Sequence, residues 1–176
     1  MPNIGTIYSY GLRDVKITLF ASPNTQIDLP AATQIKVDLT VNTAELKGDD
    51  VIQAVHTVVE KCEWEVVSGG VPFDAWALMM GATVTNSGST PNRVDTLPLK
   101  STDTIPYIKI YGKVVGVTGD DLHVKIMKAK LTKSPSGSFQ NGEFYTGTIS
   151  GIGIPDAADK IVEFVQNETA ATLPAS

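Results

Sequence analysis

The sequence predicts a mainly β protein, a β-sandwich or barrel-like fold with one short flanking helix and extended hairpin and terminal arms. Three observations carry this. Apolar residues alternate with polar ones at a period of two, as in Val15, Ile17, Leu19 and again in Ile35, Val37, Leu39, Val41. Thr118-Gly119-Asp120-Asp121 separates two such runs and has the composition of a tight turn. Only one stretch, residues 71–81, has helical spacing. The 176 residues are 42% hydrophobic and 19% charged, within the range of a single globular domain able to bury a core. The whole chain, 1–176, is therefore read as one domain.

Taken in order, residues 1–12 read as an amino-terminal arm and 15–19 as a half-buried strand. Residues 22–32 read as a loop, and 35–41 as a strand whose outward residues are Lys36, Asp38 and Thr40. Residues 51–59 are rich in β-branched side chains. Cys62, Trp64 and Val66 then share one face, with Lys61, Glu63 and Glu65 on the other. Residues 41–54 form an extended hairpin arm. Residues 71–81 carry Pro72 near the start and Gly81 after the end, the asymmetry of a short helix, and Phe73, Trp76, Ala77 and Met80 fall on one apolar face. Residues 86–103 form a long Ser/Thr/Asn/Pro-rich surface loop. Residues 107–117, 122–131, 143–154 and 160–167 are further strands, with a loop at 134–141. Residues 168–176 are a tail.

Composition excludes several functions. The net charge is −5, whereas nucleic-acid binders show a basic face. The balance is uneven: residues 1–88 hold ten acids against five bases, and residues 89–176 hold nine of each. A basic run, Lys125, Lys128, Lys130 and Lys133, reads either as a solvated strand flank or as a patch for an acidic neighbour, such as another copy of the chain. A single cysteine, Cys62, rules out an internal disulfide and a Cys-rich zinc site, and reads as a small buried hydrophobe. The longest largely apolar stretch, residues 75–84, is half what a membrane span needs, and no leader pattern opens the chain, so neither membrane insertion nor a signal peptide is expected. Gly48-Asp49-Asp50 and Gly119-Asp120-Asp121 lack the alternate-ligand spacing of a calcium loop. Gly147, Gly151 and Gly153 lack the strand–glycine–helix context of a nucleotide site, and Gly147-Thr148-Ile149-Ser150-Gly151 is only close to a nucleophile elbow. No catalytic residue, metal site or cofactor is expected.

An alternating strand runs into Glu45-Leu46-Lys47-Gly48-Asp49-Asp50, followed by a β-branched strand, Glu63-Trp64-Glu65-Val66, Gly69-Gly70 and a helix ending Met79-Met80-Gly81. Pro106-Tyr107, Gly119-Asp120-Asp121-Leu122, the stretch from Lys125 to Leu131, Gly142-Glu143-Phe144 and Gly151-Ile152-Gly153-Ile154 follow. The order of these motifs resembles that of the major tail tube protein of long-tailed (siphovirus-type) bacteriophages. The resemblance spans roughly residues 12–168 and implies a structural virion protein, assembled in the host cytoplasm. Six copies would form a ring, rings would stack into a hollow helical tube, and DNA would pass through the lumen without specific binding. Tail terminator, tail tip and tape measure proteins would be its assembly partners. In that setting the candidate subunit and ring contacts are Val41, Thr43, Glu45, Leu46, Lys47, Asp49, Asp50, Lys128 and Lys130. The candidate lumen-facing acids are Asp38, Glu63, Glu65, Asp120 and Asp121, since carboxylates repel phosphates. The alternative reading is a soluble β-sandwich module binding a ligand such as a carbohydrate, with Tyr107, Tyr111 and Tyr145 as its aromatic candidates.

Overall fold

A computed structural model describes residues 5–21, 25–48 and 51–174. It is mainly β, with antiparallel strands and one short helix. In chain order the elements are β1 (Ser9–Leu19), β2 (Gln26–Asp28), β3 (Ala32–Gly48), β4 (Val51–Gly69), α1 (Phe73–Met80), β5 (Thr85–Ser87), β6 (Val94–Thr96), β7 (Ile108–Gly116), β8 (Asp121–Leu131), β9 (Thr146–Gly153) and β10 (Val162–Asn167). The main sheet runs β2-β1-β7-β8-β9-β4-β3. One edge of β8 is shared end to end: its first half pairs with β10 (Asn167↔Asp121 to Val162↔Ile126) and its last three residues with β9 (Ala129↔Gly153 to Leu131↔Gly151). That split lets the sheet fold over on itself in a sandwich-like arrangement, with β1, β7 and β8 on one side and β9, β4 and β3 on the other. Contact across the interior is direct: a Cβ placed on Gly112 of β7 would lie 3.1 Å from the Ile35 side chain of β3.

The period-two residues fill the interior. Val15 and Ile17, Cys62, Trp64 and Val66, Ile108 and Ile110, Ile126 and Ile149 form one buried cluster. Trp64 fits because β9 offers no side chain beneath it. A Cβ on Gly151 would sit 2.7 Å from the indole and 2.1 Å from the Lys130 carbonyl oxygen. Glycine is therefore required there by close approach, which explains a Gly-rich strand that binds no nucleotide.

Helix α1 occupies the expected place, and Gly81 ends it in the left-handed region (φ 69°), its N–H donating to the Ala77 carbonyl. Its buried face differs from the expected one. Ala75, Ala77, Leu78 and Met79 are buried, Trp76 and Met80 are partly buried against the core, and Phe73 is 37% exposed. Every position of the helix except Asp74 is apolar, so periodicity could not choose the face. Burying the side that carries 75, 78 and 79 leaves Asp74 exposed.

Four further expectations shift. The loop at 22–32 contains the short strand β2, and the 86–103 region carries a two-stranded ribbon, β5–β6, whose residues are all exposed. Residues 9–12 of the expected amino-terminal arm belong to β1, pairing Ser9 with Gly116 and Leu12 with Val114, and residues 1–4 lie outside the described residues. Residues 168–174 are not a free tail. Ala170 N–H donates to the Gly119 carbonyl (3.1 Å), Gln26 Nε2 donates to the Pro174 carbonyl (3.1 Å), and Leu173 is 5% exposed. The carboxyl-terminal segment thus crosses from the β7–β8 turn to β2 on its own subunit.

Candidate assembly surface

Strands β3 and β4 have two different halves. In the basal half, β4 pairs with β3 on one side and with β9 on the other, from Cys62↔Gly153 to Gly69↔Thr146. Beyond Cys62 the β9 partner stops, while β3 and β4 continue together to Gly48↔Val51. At about 3.4 Å per residue, the eight residues from Val41 to Gly48 carry this two-stranded ribbon about 24 Å past the sheet. Among the described residues it pairs with no third strand.

A register shift marks the ribbon's base: Thr40 pairs with Lys61 but Val41 pairs with Val59, leaving Glu60 as an extra residue. The bulge moves the alternation on β4 by one position. Below it, even-numbered Cys62, Trp64 and Val66 share a face with their odd-numbered partners Leu39, Val37 and Ile35; above it, from Val41/Val59 to Leu46/Ala54, odd pairs with odd and even with even, until a second shift pairs Lys47 with Ile52. One face then carries Val41/Val59, Thr43/Thr57 and Glu45/Val55, and the other Asn42/Val58, Ala44/His56 and Leu46/Ala54. The hydroxyls of Thr43 and Thr57 hydrogen bond at 3.2 Å, and Lys47 lies 3.8 Å from Glu45. Neither face is covered. Val41, Leu46, Val51 and Val55 are each more than half exposed, and Ile52, Val58 and Val59 nearly so. Five contact candidates, Val41, Thr43, Glu45, Leu46 and Lys47, therefore sit together on the ribbon. Asp49 and Asp50 lie outside the described residues.

The lumen candidates separate into two groups. Asp38, Glu63 and Glu65 share the outward face of β3 and β4. That face is not uniformly acidic: Lys36 Nζ lies 2.7 Å from Asp38, and Lys61 Nζ 2.9 Å from Glu63, each contact holding its lysine above the usual range through the hydrogen bond to the carboxylate. A shallow polar depression of about 280 Å³ lies here, lined by Lys36, Asp38, Glu63, Glu65, Lys133 and Ser150 among others. Direct cross-strand partners share a face, so the row Asp38–Glu63–Ile152–Lys130 runs unbroken from β3 to β8. Acids crowd its β3–β4 end and lysines its β8 end.

Asp120 and Asp121 do not belong to this face. Asp120 is partly exposed and accepts from the Thr118 hydroxyl at 2.9 Å. Asp121 is fully buried and is not a solvent-facing acid. It anchors the carboxyl-terminal segment. Asn167 Nδ2 donates to its Oδ1 (2.6 Å), while Ala171 N–H (2.7 Å), Lys113 Nζ (3.2 Å) and His123 Nε2 (3.3 Å) converge on Oδ2. Lys113 Nζ also donates to the Ala171 carbonyl. Burial alone would raise this carboxyl, but the donors from Asn167, Ala171 and Lys113 outweigh it and hold it at about 2. A turn sequence of Gly-Asp-Asp gave no signal of this, because the burial comes from residues about fifty positions away.

Lys128 and Lys130, the remaining contact candidates, lie over aromatic rings. Lys128 Nζ is 5.5 Å from the Phe20 ring and 4.8 Å from Tyr107, Lys130 Nζ is 5.1 Å from Tyr107, and Lys109 Nζ is 5.6 Å from Phe20. The aromatics considered for a binding module do not share an open face: Tyr111 is buried, Tyr107 lies under two lysines, and Tyr145 stacks on Phe139 at 4.5 Å. Cys62 is fully buried, and burial pushes its thiol up to about 11. Among the described residues, no three His, Cys, Asp or Glu side chains are grouped to hold a metal ion, and no helix is long and apolar enough to cross a membrane. No protein-family model matches this chain, and no curated protein matches its sequence.

Proposed function

We propose that this chain is a structural subunit of a phage-type tail tube, assembling as hexameric rings that stack around a DNA-conducting lumen. The observation that carries the reading is the β3–β4 ribbon. A two-stranded ribbon is marginal by itself in water, and this one exposes apolar residues on both faces and, among the described residues, pairs with no further strand on either side. Such a feature is a liability in a monomer and an asset in an assembly that covers it. Each half-exposed Val or Leu buried by a neighbour contributes about 1 kcal/mol, so the ribbon alone can drive several kcal/mol of association. A ring closes every such contact through one repeated heterologous interface. The mixed-sign face of β3 and β4 supports passage of DNA without capture, since paired carboxylates and lysines give phosphates no net attraction. The reading is structural and non-catalytic, with tail terminator, tail tip and tape measure proteins as partners and the virion as its destination.

Negative-stain electron microscopy with light scattering on the concentrated chain, alone and seeded with tail-tip complexes, tests this. Hollow tubes or six-fold rings are expected. A chain that stays monomeric with and without seeds overturns the reading.

A further inference from the structure

Lys109 of β7 and Lys128 and Lys130 of β8 alternate with buried Ile108, Ile110, Ala129 and Leu131, so they stand on the outward face of these strands. They gather over the rings of Phe20 and Tyr107 in four ammonium–ring contacts. The two aromatic residues are neighbours because the Phe20 N–H donates to the Tyr107 carbonyl (2.9 Å). Among the described residues, none of the three lysines has a carboxylate within 4 Å, whereas Lys16, Lys36, Lys61, Lys113, Lys125 and Lys160 each have one. Asp156 lies in the field of Lys109, but its Oδ1 already accepts from the N–H groups of Ala158 and Lys160, both at 2.9 Å. Like charges this close repel, and cation–π contacts offset the repulsion only partly. The net charge of −5 thus hides a local basic patch, the electrostatic footprint of a polyanion.

We propose that this patch contacts the phosphate backbone of a nucleic acid. Lys128 shares the Phe20 ring with Lys109 and the Tyr107 ring with Lys130, so the three ammonium groups adjoin. A nucleic acid strand carries one negative charge every ~3.4 Å of helix axis in whatever register it lies, and so offers a counter-charge to each member of the cluster. Tyr107, 37% exposed, adds an aromatic surface of the kind on which bases stack. A second copy of the chain fits less well: Asp38 and Glu63 of its sheet face and Glu45 of its ribbon already hold Lys36, Lys61 and Lys47. Three phosphate contacts fall short of the roughly six to ten of a firm binder, so the contact is non-specific and salt-labile, which accords with a strand that passes and is not captured. The inference does not depend on the assembly reading; the contact belongs to the chain whether or not rings form.

Fluorescence anisotropy of a labelled DNA duplex, titrated with the full chain from low salt upward, tests the inference, with light scattering and micrographs recording the assembly state of each sample. The unaltered chain is expected to bind at low ionic strength. Charge removal in the patch (K109Q, K128Q, K130Q) should weaken binding about tenfold or more there, and should flatten the plot of log affinity against log salt by about 2 to 3. Removing the same charge elsewhere (K47Q, K100Q, K133Q) should change affinity by less than about twofold. The charge-keeping variant K109R, K128R, K130R should bind as the unaltered chain does. K128Q alone should reduce the salt slope by about 1, which keeps the test decisive if the triple glutamine variant does not fold. No duplex binding at low ionic strength overturns the proposal, as do equal losses in the two triple glutamine variants or an unchanged slope in K128Q. Labelled poly-glutamate bound as tightly as the duplex through the same lysines also overturns it, in favour of an acidic protein segment. Rings or tubes without duplex binding overturn the patch and leave the tube reading standing. Patch-dependent binding by a chain that stays monomeric with and without tail-tip seeds upholds the patch and overturns the tube reading.

Discussion

The β3–β4 ribbon and the segment 168–174 both leave the strand core, and the sequence reads the first as an extended hairpin arm and the second as a tail. The ribbon does extend away. Its inward-pointing backbone groups pair within its own ladder and its outer ones face water, so it can stand off the sheet, but its exposed valines and leucine lack cover among the described residues. The carboxyl-terminal segment has no ladder. Its polar backbone is satisfied by Asp121, Lys113, Gly119 and Gln26, and Leu173 is buried in the process. An extension that pairs with itself is free to seek a partner. One that needs the sheet for its hydrogen bonds becomes part of the monomer.

The contrast can be broken most forcefully at Asp121. Asp121→Ala leaves the Lys113 ammonium and the Ala171 N–H without their acceptor, and should cost about 3–5 kcal/mol in urea unfolding while releasing residues 168–174 to protease. Leu173→Ala should cost about 2 kcal/mol and loosen the same segment, since it deletes buried apolar contact at the rim of the core.

Acid should act in the same direction. The folded Asp121 carboxyl lies at about 2, below the unfolded value of about 3.8. A depressed carboxyl stabilises the fold fully above its unfolded value, and that contribution is lost as pH falls through the folded one. About 2 kcal/mol should therefore disappear between pH 4 and pH 2, and a pH series of unfolding curves should show that part of the loss absent in Asp121→Asn.

The smallest effect on the monomer is expected in the ribbon. Replacing residues 42–58 by Asn-Gly closes the hairpin with a compatible turn between Val41 and Val59. Thermal unfolding should move by less than about 1 kcal/mol, because the removed side chains bury little, whereas association should be abolished. A shortened chain that still assembles, or that fails to fold, would erase the distinction between ribbon and core.

The chain's own periodicity was enough to place most strands, the short helix with its glycine stop, and the buried Cys62–Trp64–Val66 row, because a two-residue period and a helical cap are local properties. It also put Asp38, Glu63 and Glu65 on faces opposite the apolar ones, whereas Val41 and Leu46 were contact candidates only through the resemblance. Tertiary structure decided what local patterns leave open. A period of two separates two faces without saying which is covered. The bulge at Glu60 resets that alternation with no distinctive residue to announce it. The face of α1 is chosen by the cavity it closes, because nearly all of its positions are apolar. Asp121 becomes buried only when Asn167 and Ala171 arrive from about fifty residues away to join Lys113 of the neighbouring strand, and the lysines at 109, 128 and 130 become a patch only when β7 and β8 bring them over Phe20 and Tyr107. Charge and burial of that kind are set by long-range pairing, and no window of the sequence contains them.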